Sequence, residues 1–270
     1  VKAGSGVATF AQPGSPGIPS SVAALTRTAP FNDVDAVRAH LEAGDVAALI
    51  LEAVPGNMGC IPPQDGYLEA LREVTRQHGA LLIIDEVMTG FRLAKGGACE
   101  YFDVDADLVC LGKIVGGGFP LAAFGGKADV MSKLSPEGPV YQAGTLSGNP
   151  VAVAAGLAIL GELKDLVYQD LERRGAELQA RVSPAVKNRG CSMTRIGSMF
   201  TIFFRPEAPT NFLEVSQSDM DAFGRYHRAA LRHGVYLPPS QYEAGFLPAY
   251  LSDEEFDHLV KGITSALHEA

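Results

Sequence analysis

The sequence predicts an α/β fold in which a mostly parallel sheet is followed by a smaller α+β domain. Three short apolar runs carry this prediction, at residues 47–51 (AALIL), 80–84 (ALLII) and 107–111 (DLVCL). They lack alternating polar residues, which is typical of strands covered on both faces in a parallel sheet. Strands that alternate with helices indicate the same architecture. A further strand is predicted over Pro120–Gly125, after three glycines.

Periodic apolar side chains and capping residues predict the helices. The first begins at Asn32 or Asp33 and ends near Ala43, and the second is capped by Asp65 and ends at His78. The later elements are helices over Val151–Leu163, Leu166–Val186, Ser218–His233 and Glu254–Glu269, the last capped by Asp253, and strands over Met199–Phe204 and Val235–Leu237.

The spacing of these elements predicts two domains, with residues 1–159 in the larger and residues 160–270 in the smaller one. Residues from about 1 to 30 are rich in Gly, Ser, Pro and Thr, and a loop of this length is often a lid or a binding loop. The chain begins with Val1 rather than Met, so we expect it to be a piece of a longer protein.

Composition argues against several classes of protein. The 270 residues include 31 acidic and 22 basic side chains, and this net charge of -9 disfavours binding to nucleic acid or to an anionic membrane. The most apolar stretch, Val151–Leu160, has about half the length that a membrane-spanning helix needs, and it predicts a buried helix. Four scattered cysteines without a CxxC pair predict reduced and mostly buried thiols in a compartment like the cytosol.

Three polar residues follow predicted strands and are expected at one edge of the sheet: Asn57, Asp85 and Lys113. Asp85 comes directly after five apolar residues, and a partly buried carboxylate needs a positive partner. That partner is either structural, such as Arg92 or the N-terminus of a helix, or a cation on a ligand, such as a protonated ring nitrogen. The residues alone leave both alternatives open.

Lys113 lies among apolar and glycine residues, where loss of solvation would favour its neutral amine. A neutral amine is the form that makes a Schiff base with an aldehyde cofactor, whereas the alternative is a lysine that extends into water. The glycines Gly116–Gly118 are expected to give the backbone freedom beside it. Residues 143–149, before the helix at Pro150, suit either an anion or plain capping of the helix by Asn149.

Three motifs together carry a resemblance to a known family: DEVMTGFR at 85–92, LGKIVGGGFP at 111–120 and YQAGTLSGNP at 141–150. They resemble the glutamate-1-semialdehyde 2,1-aminomutases, within the class III pyridoxal-phosphate-dependent aminotransferases of the aspartate-aminotransferase-like fold (fold type I). The resemblance extends from the first residues to SQYEAGF at 240–246. The chain departs from it at Glu52-Ala53-Val54-Pro55, where family members usually read Glu-Pro-Val.

The resemblance implies roles for individual residues around a pyridoxal 5'-phosphate or pyridoxamine 5'-phosphate cofactor. Lys113 would form the Schiff base and move protons between the cofactor and the substrate. Asp85 would pair with the pyridinium nitrogen, and Val87 would pack on one face of the ring. Asn57 would lie close to the ring and the substrate, and Glu243 near the lysine and the polar edge of the cofactor.

The same resemblance implies a homodimer with a shared active site, because Thr145 would reach the cofactor phosphate of the neighbouring subunit. Ser5 would contact the substrate, and residues 1–30 would include a gating loop. The part of the family chain that precedes these residues would hold the phosphate-binding turn, a ring-stacking aromatic and an arginine for the substrate. We therefore expect the 270 residues alone to bind cofactor poorly.

The implied reaction is the conversion of glutamate 1-semialdehyde to 5-aminolevulinate, a tetrapyrrole precursor, by intramolecular amino transfer. Residues 1–159 would then be the C-terminal portion of the cofactor-binding domain. Two alternatives stay open: a class III aminotransferase that moves the amine between two substrates, and an inactive fragment that folds or dimerises.

Overall fold

The computed structural model describes residues 17–270, and its contacts divide the chain into two compact units. The four-stranded unit comprises Leu41–Val54 and Asp65–Gln169. The three-stranded unit comprises the described residues up to His40, together with Pro55–Gln64 and Asp170–Ala270. No helix among the described residues is both long and apolar enough to cross a membrane.

The secondary structure consists of seven strands, ten α-helices and a 3₁₀ turn over the described residues. The strands are β1 (Ala48–Leu51), β2 (Leu81–Asp85), β3 (Leu108–Leu111), β4 (Ala123–Gly126), β5 (Ser192–Ile196), β6 (Met199–Phe203) and β7 (Gly245–Phe246). The helices are α1 (Ser20–Ala23), α2 (Val34–Leu41), α3 (Tyr67–Gln77), α4 (Gly97–Tyr101), α5 (Ala128–Met131), α6 (Pro150–Glu162), α7 (Asp165–Asn188), α8 (Phe212–Val215), α9 (Met220–Arg232) and α10 (Asp253–Glu269), and the 3₁₀ turn is Lys113–Gly116.

The sheet of the four-stranded unit has the order β1-β2-β3-β4. Its first three strands are parallel, and β4 runs antiparallel to β3. The mostly parallel sheet predicted from the apolar runs is therefore confirmed. Asp85 at the end of β2 is in register with Cys110 of β3, so both strands end at the same edge of the sheet.

Burial of β2 differs from the prediction of a strand covered on both faces. Leu82 and Ile84 are buried, whereas Leu81 and Ile83 remain partly exposed, and Ile50 of β1 is exposed. Side chains alternate between the two faces of a strand, and the described residues bury only one of them fully. The prediction of continuous coverage is wrong for this part of the chain.

Two of the predicted helix caps are also wrong. Helix α3 begins after Gly66, which has a φ of 79° and no capping side chain, so Asp65 does not cap it. Helix α10 is capped by Ser252, which forms a capping box with Glu255. That reciprocal pair satisfies two backbone N–H groups at once, which places Asp253 inside the first turn.

The three-stranded unit contains an antiparallel sheet of order β5-β6-β7. Its core joins buried residues of β6 to apolar faces of α7, α9 and α10. The strand predicted over Val235–Leu237 is wrong, because the Val235 N–H donates to the Ala230 carbonyl and closes the end of α9. The third strand is Gly245–Phe246 instead, opposite Met199 and Phe200.

Candidate active site

Asp85 ends β2 with its carboxylate at the predicted edge of the sheet. Its Oδ1 accepts a hydrogen bond from the Val87 N–H at 2.9 Å, so the turn after the strand orients the carboxylate. Burial raises the pKa of the neighbouring Cys110 thiol, and the negative charge of Asp85 raises it further. Arg92, the structural partner considered for Asp85, donates its Nε–H to the Met88 carbonyl at 2.7 Å.

Lys113 begins the 3₁₀ turn that follows β3. Its φ is 47°, in the left-handed region that a side chain other than glycine rarely adopts. Backbone strain of this kind concentrates at functional sites, where surrounding packing maintains it. The side chain is exposed, so the expected loss of solvation is wrong for the described residues.

Val87 connects the Asp85 turn to the Lys113 turn. A Cβ atom added at Gly112 would lie 3.1 Å from Val87 Cγ1, so the valine packs against the residue that precedes Lys113. The Glu86 N–H also donates to the Cys110 carbonyl at 2.8 Å, which links the end of β2 to β3. The structure thus brings Asp85, Val87 and the backbone of Lys113 together, whereas Asn57, predicted at the same edge of the sheet, belongs to the three-stranded unit.

The glycines beside Lys113 allow helix α6 to approach its turn closely. Gly117 has a φ of 56°, and a Cβ there would lie 2.5 Å from the Ala155 carbonyl oxygen. A Cβ at Gly156 of α6 would lie 2.4 Å from the Val115 carbonyl oxygen. The freedom predicted for the glycine run is therefore confirmed at Gly117, and the partner Gly156 was missed because a glycine within a helix has no distinctive pattern.

The segment before α6 leaves Thr145 exposed at the surface. The large side chains near it are exposed too, with Tyr141 at 83% and Leu146 at 66% of full exposure. Asn149 caps α6, since its Oδ1 accepts hydrogen bonds from the Val151 and Ala152 N–H groups. The capping function of Asn149 is therefore confirmed, and an anion at residues 143–149 stays a prediction.

Asn57 and Glu243 lie on neighbouring segments of the three-stranded unit. The Ala244 N–H donates to the Gly56 carbonyl at 3.1 Å, and the Gly59 N–H donates to the Tyr242 carbonyl at 2.9 Å. These two backbone bonds flank Asn57 on one segment and Glu243 on the other. Asn57 is half-buried and Glu243 is exposed.

Gln241 holds the Glu243 segment against β6 and was missed by the sequence analysis. Only 1% of it is exposed. Its Nε2 donates to the Ile202 carbonyl at 2.9 Å, and its Oε1 accepts from the Phe204 N–H at 3.2 Å. The side-chain amide therefore substitutes for a neighbouring strand. The apolar-polar pattern contains no signal for a buried glutamine of this kind.

Two predictions fall on residues outside those described. Ser5 lies there, and so do residues 1–16 of the proposed gating loop. In the remainder of that loop, Ser20–Ala23 forms the short helix α1 without a buried residue.

Comparison with known proteins assigns the chain to a family. The family model for class-III aminotransferases matches residues 2–267. The chain belongs to this family. A glutamate-1-semialdehyde 2,1-aminomutase from Sorangium cellulosum is 51% identical to this class III chain over 99% of its length, and one from Acidobacterium capsulatum is 52% identical over 91%. The chain spans 62% and 59% of those two relatives.

Solved structures of class III enzymes confirm the predicted fold of pyridoxal-phosphate-dependent transferases. An ω-transaminase from Sphaerobacter thermophilus has a TM-score of 0.88 at 31% identity, covering 94% of this chain and 60% of its own. A glutamate-1-semialdehyde aminomutase from Pseudomonas aeruginosa, in complex with PMP, has a TM-score of 0.82 at 28% identity, covering 90% of this chain and 56% of its own.

Proposed function

We propose that this class III protein converts glutamate 1-semialdehyde to 5-aminolevulinate by intramolecular amino transfer, with pyridoxal 5'-phosphate or pyridoxamine 5'-phosphate as cofactor. The observation that carries the proposal is the placement of Asp85 and Lys113 at the ends of two adjacent parallel strands, with Val87 packed between their turns. The choice of reaction is supported by the aminomutase relatives, which are 51% and 52% identical to this chain.

The side chains at this edge fit such a cofactor chemically. The Asp85 carboxylate is oriented by the backbone and would accept a hydrogen bond from a protonated ring nitrogen. The exposed amine of Lys113 would hold the cofactor and would take up and return a proton at Nζ. Val87 would keep water from one face of the ring. When bound, a protonated pyridine ring would supply an electron sink for the reacting carbon.

Two residues of the three-stranded unit belong to the proposal. Asn57 and Glu243 lie on segments paired through backbone hydrogen bonds, which supports a joint role. We propose that Asn57 contacts the ring and substrate and that Glu243 contacts the polar edge of the cofactor. Ser5 remains a proposed substrate contact.

We propose a homodimer in which Thr145 reaches the cofactor phosphate of the partner subunit. The exposed apolar side chains of Tyr141 and Leu146 beside Thr145 support an interface there, because such a patch commonly marks an interaction surface. The four free cysteines support a reducing compartment such as the cytoplasm.

A class III aminotransferase with separate amino donor and acceptor is the second candidate. The ω-transaminase among the structural neighbours favours it. Turnover distinguishes the two reactions: the aminomutase should form 5-aminolevulinate from glutamate 1-semialdehyde without an added amino donor. A strict requirement for a second amine would support the aminotransferase.

The cofactor assignment is tested at Lys113. Incubation of the full-length protein with pyridoxal phosphate should give a visible absorbance band, and borohydride followed by peptide mass spectrometry should locate the cofactor on Lys113. Lys113→Ala should lose the covalent label, whereas the control Lys95→Ala, at another exposed lysine of the same unit, should retain it. Failure of the full-length, unsubstituted protein to form a band would contradict the cofactor assignment.

A further inference from the structure

Glu86 lies between Asp85 and Val87 in the sequence, but its side chain is buried whereas that of Asp85 is partly exposed. Only 2% of Glu86 is exposed. Its Oε1 accepts from the Cys99 N–H at 2.8 Å, and its Oε2 accepts from the Ala98 N–H at 2.9 Å and from the Thr89 hydroxyl. Within residues 17–270, no ion pair neutralises this carboxylate.

The backbone around the carboxylate is shaped to receive it. Gly97 has a φ of 72°, and a Cβ there would lie 2.6 Å from both carboxylate oxygens of Glu86. A buried charge is costly unless hydrogen bonds compensate it, and three donors do so here. The side chain therefore attaches the turn after β2 to the beginning of α4.

The Glu86 backbone fixes the other side of the same turn. Its N–H donates to the Cys110 carbonyl at 2.8 Å, and its carbonyl accepts from the Gly90 N–H at 2.7 Å. Side chain and backbone together thus determine the path of the chain from Asp85 to Val87. Those two residues are the ones proposed to meet the nitrogen and one face of the cofactor ring.

We infer that Glu86 is a positioning residue for the pyridine ring, acting through Asp85 and Val87. The inference rests on the proposed function. Glu86 touches no reacting atom. Its buried carboxylate holds the Asp85–Val87 turn in the binding geometry before the cofactor arrives, so that binding does not have to order the turn.

Glu86→Gln tests the inference with little change of shape. The amide would place an NH2 group against a backbone N–H, because it has one acceptor oxygen where the carboxylate has two. Glu100→Gln is the matched control: the Glu100 carboxylate accepts from the Gly96 N–H at 2.6 Å in the same segment, but it is exposed and its hydrogen-bond donor lies outside the turn. We expect faster amide hydrogen exchange at Val87 in Glu86→Gln without cofactor, and no change in Glu100→Gln.

The second readout is the affinity for pyridoxal phosphate, titrated through the visible band. Glu86→Gln should weaken binding about tenfold or more, which is the order of one hydrogen bond to a charged group. The pH titration of the bound band should also shift, since the ring nitrogen and Asp85 would no longer be aligned. Thr89→Val removes one donor but keeps the charge, and it should change both readouts in the same direction by less.

The outcomes separate the two proposals. If the full-length, unsubstituted protein forms no band, the proposed function fails, and the role of Glu86 fails with it. If the unsubstituted protein binds cofactor while Glu86→Gln and Thr89→Val only lower the unfolding temperature, with unchanged affinity and pH profile, Glu86 is structural and the inference is overturned. Should Glu86→Gln not fold, Thr89→Val decides between these outcomes by the same measurements.

Discussion

Helix α6 offers a direct test of how the Lys113 turn is held. An alanine at Gly156 would place its Cβ 2.4 Å from the Val115 carbonyl oxygen and 3.1 Å from Leu121 Cδ2. Ordinary contacts of a Cβ atom begin at 3.4 Å, so either α6 or the turn of Lys113 must move by about 1 Å. Overpacking of this kind costs about 1–3 kcal/mol.

Gly161 of the same helix provides the control, because a Cβ there would meet nothing within 4 Å. Replacing glycine by alanine within a helix stabilises it by up to about 1 kcal/mol in either variant. Gly161 lies nearer the helix end, so alanine stabilises the helix less there than at Gly156. The difference in free energy of unfolding between the two variants is therefore a lower limit for the cost of the clash. We expect Gly156→Ala to be less stable than Gly161→Ala by about 1–3 kcal/mol, or roughly 2–4 °C in unfolding midpoint per kcal/mol.

The assay combines thermal unfolding with titration of pyridoxal phosphate. Because a displacement of about 1 Å can cost about a hundredfold in rate, Gly156→Ala should also lose cofactor labelling or turnover, and Gly161→Ala should not. Equal stability of the two variants, or a stable Gly156→Ala protein with unchanged labelling, would refute the close packing of α6 on the turn.

Two further predictions concern stability. Gln241→Leu leaves the buried Ile202 carbonyl and Phe204 N–H without partners and should lower the free energy of unfolding, measured in urea, by about 2–6 kcal/mol. Gln217→Leu at an exposed site should change it little, and equal effects of the two substitutions would contradict the role of the Gln241 amide. Burial would raise the pKa of Asp107, but hydrogen bonds from the Leu82 N–H and the Arg72 guanidinium outweigh it and hold that pKa below 3.8. A carboxyl group whose pKa is lower in the folded than in the unfolded protein stabilises the fold. This contribution is complete above the pKa of the unfolded state, and it disappears as the pH falls through the pKa of the folded state. Between pH 6 and pH 2, the free energy of unfolding of Asp107→Asn should therefore fall less than that of the unsubstituted protein. The same pH dependence in both proteins would contradict the contribution of Asp107.

The sequence reveals those parts of the fold in which local chemistry and tertiary packing agree. Helix α6 begins at Pro150 after an asparagine cap, and both signals are local. The prediction that it is buried is wrong for the described residues, because only Ala152 and Gly156 of this helix are buried. Strand β5 was missed because SMTRI mixes polar and apolar residues and is only half-buried along most of its length. The apolar residues Val235–Leu237 suggested a strand, but Gly234 at a φ of 73° turns the chain so that Val235 closes α9.

The candidate site divides in the same way. Asp85 and Lys113 could be found because each interrupts or follows a run of apolar residues in a predicted strand. The exposure of Lys113 could not be predicted, since it depends on which side chains surround the lysine in the folded protein. Gln241 and Glu86 could not be assigned either, because their partners include backbone groups far away in the sequence.

The adjacent acids Asp85 and Glu86 show why the chemistry of a motif has to be read from its surroundings. Both are carboxylates on one turn, but Glu86 is enclosed by three donors while Asp85 has one backbone donor at the open edge of the sheet. Environment alone can assign different tasks to two equal groups. A carboxylate with both oxygens engaged by buried donors can position its neighbours, and one with more acceptor capacity left can meet a cation. If Glu86 turned towards a ligand, three buried donors would lose their acceptor. The hydrogen bonds therefore decide which of the two acids can meet a ligand and which positions the turn.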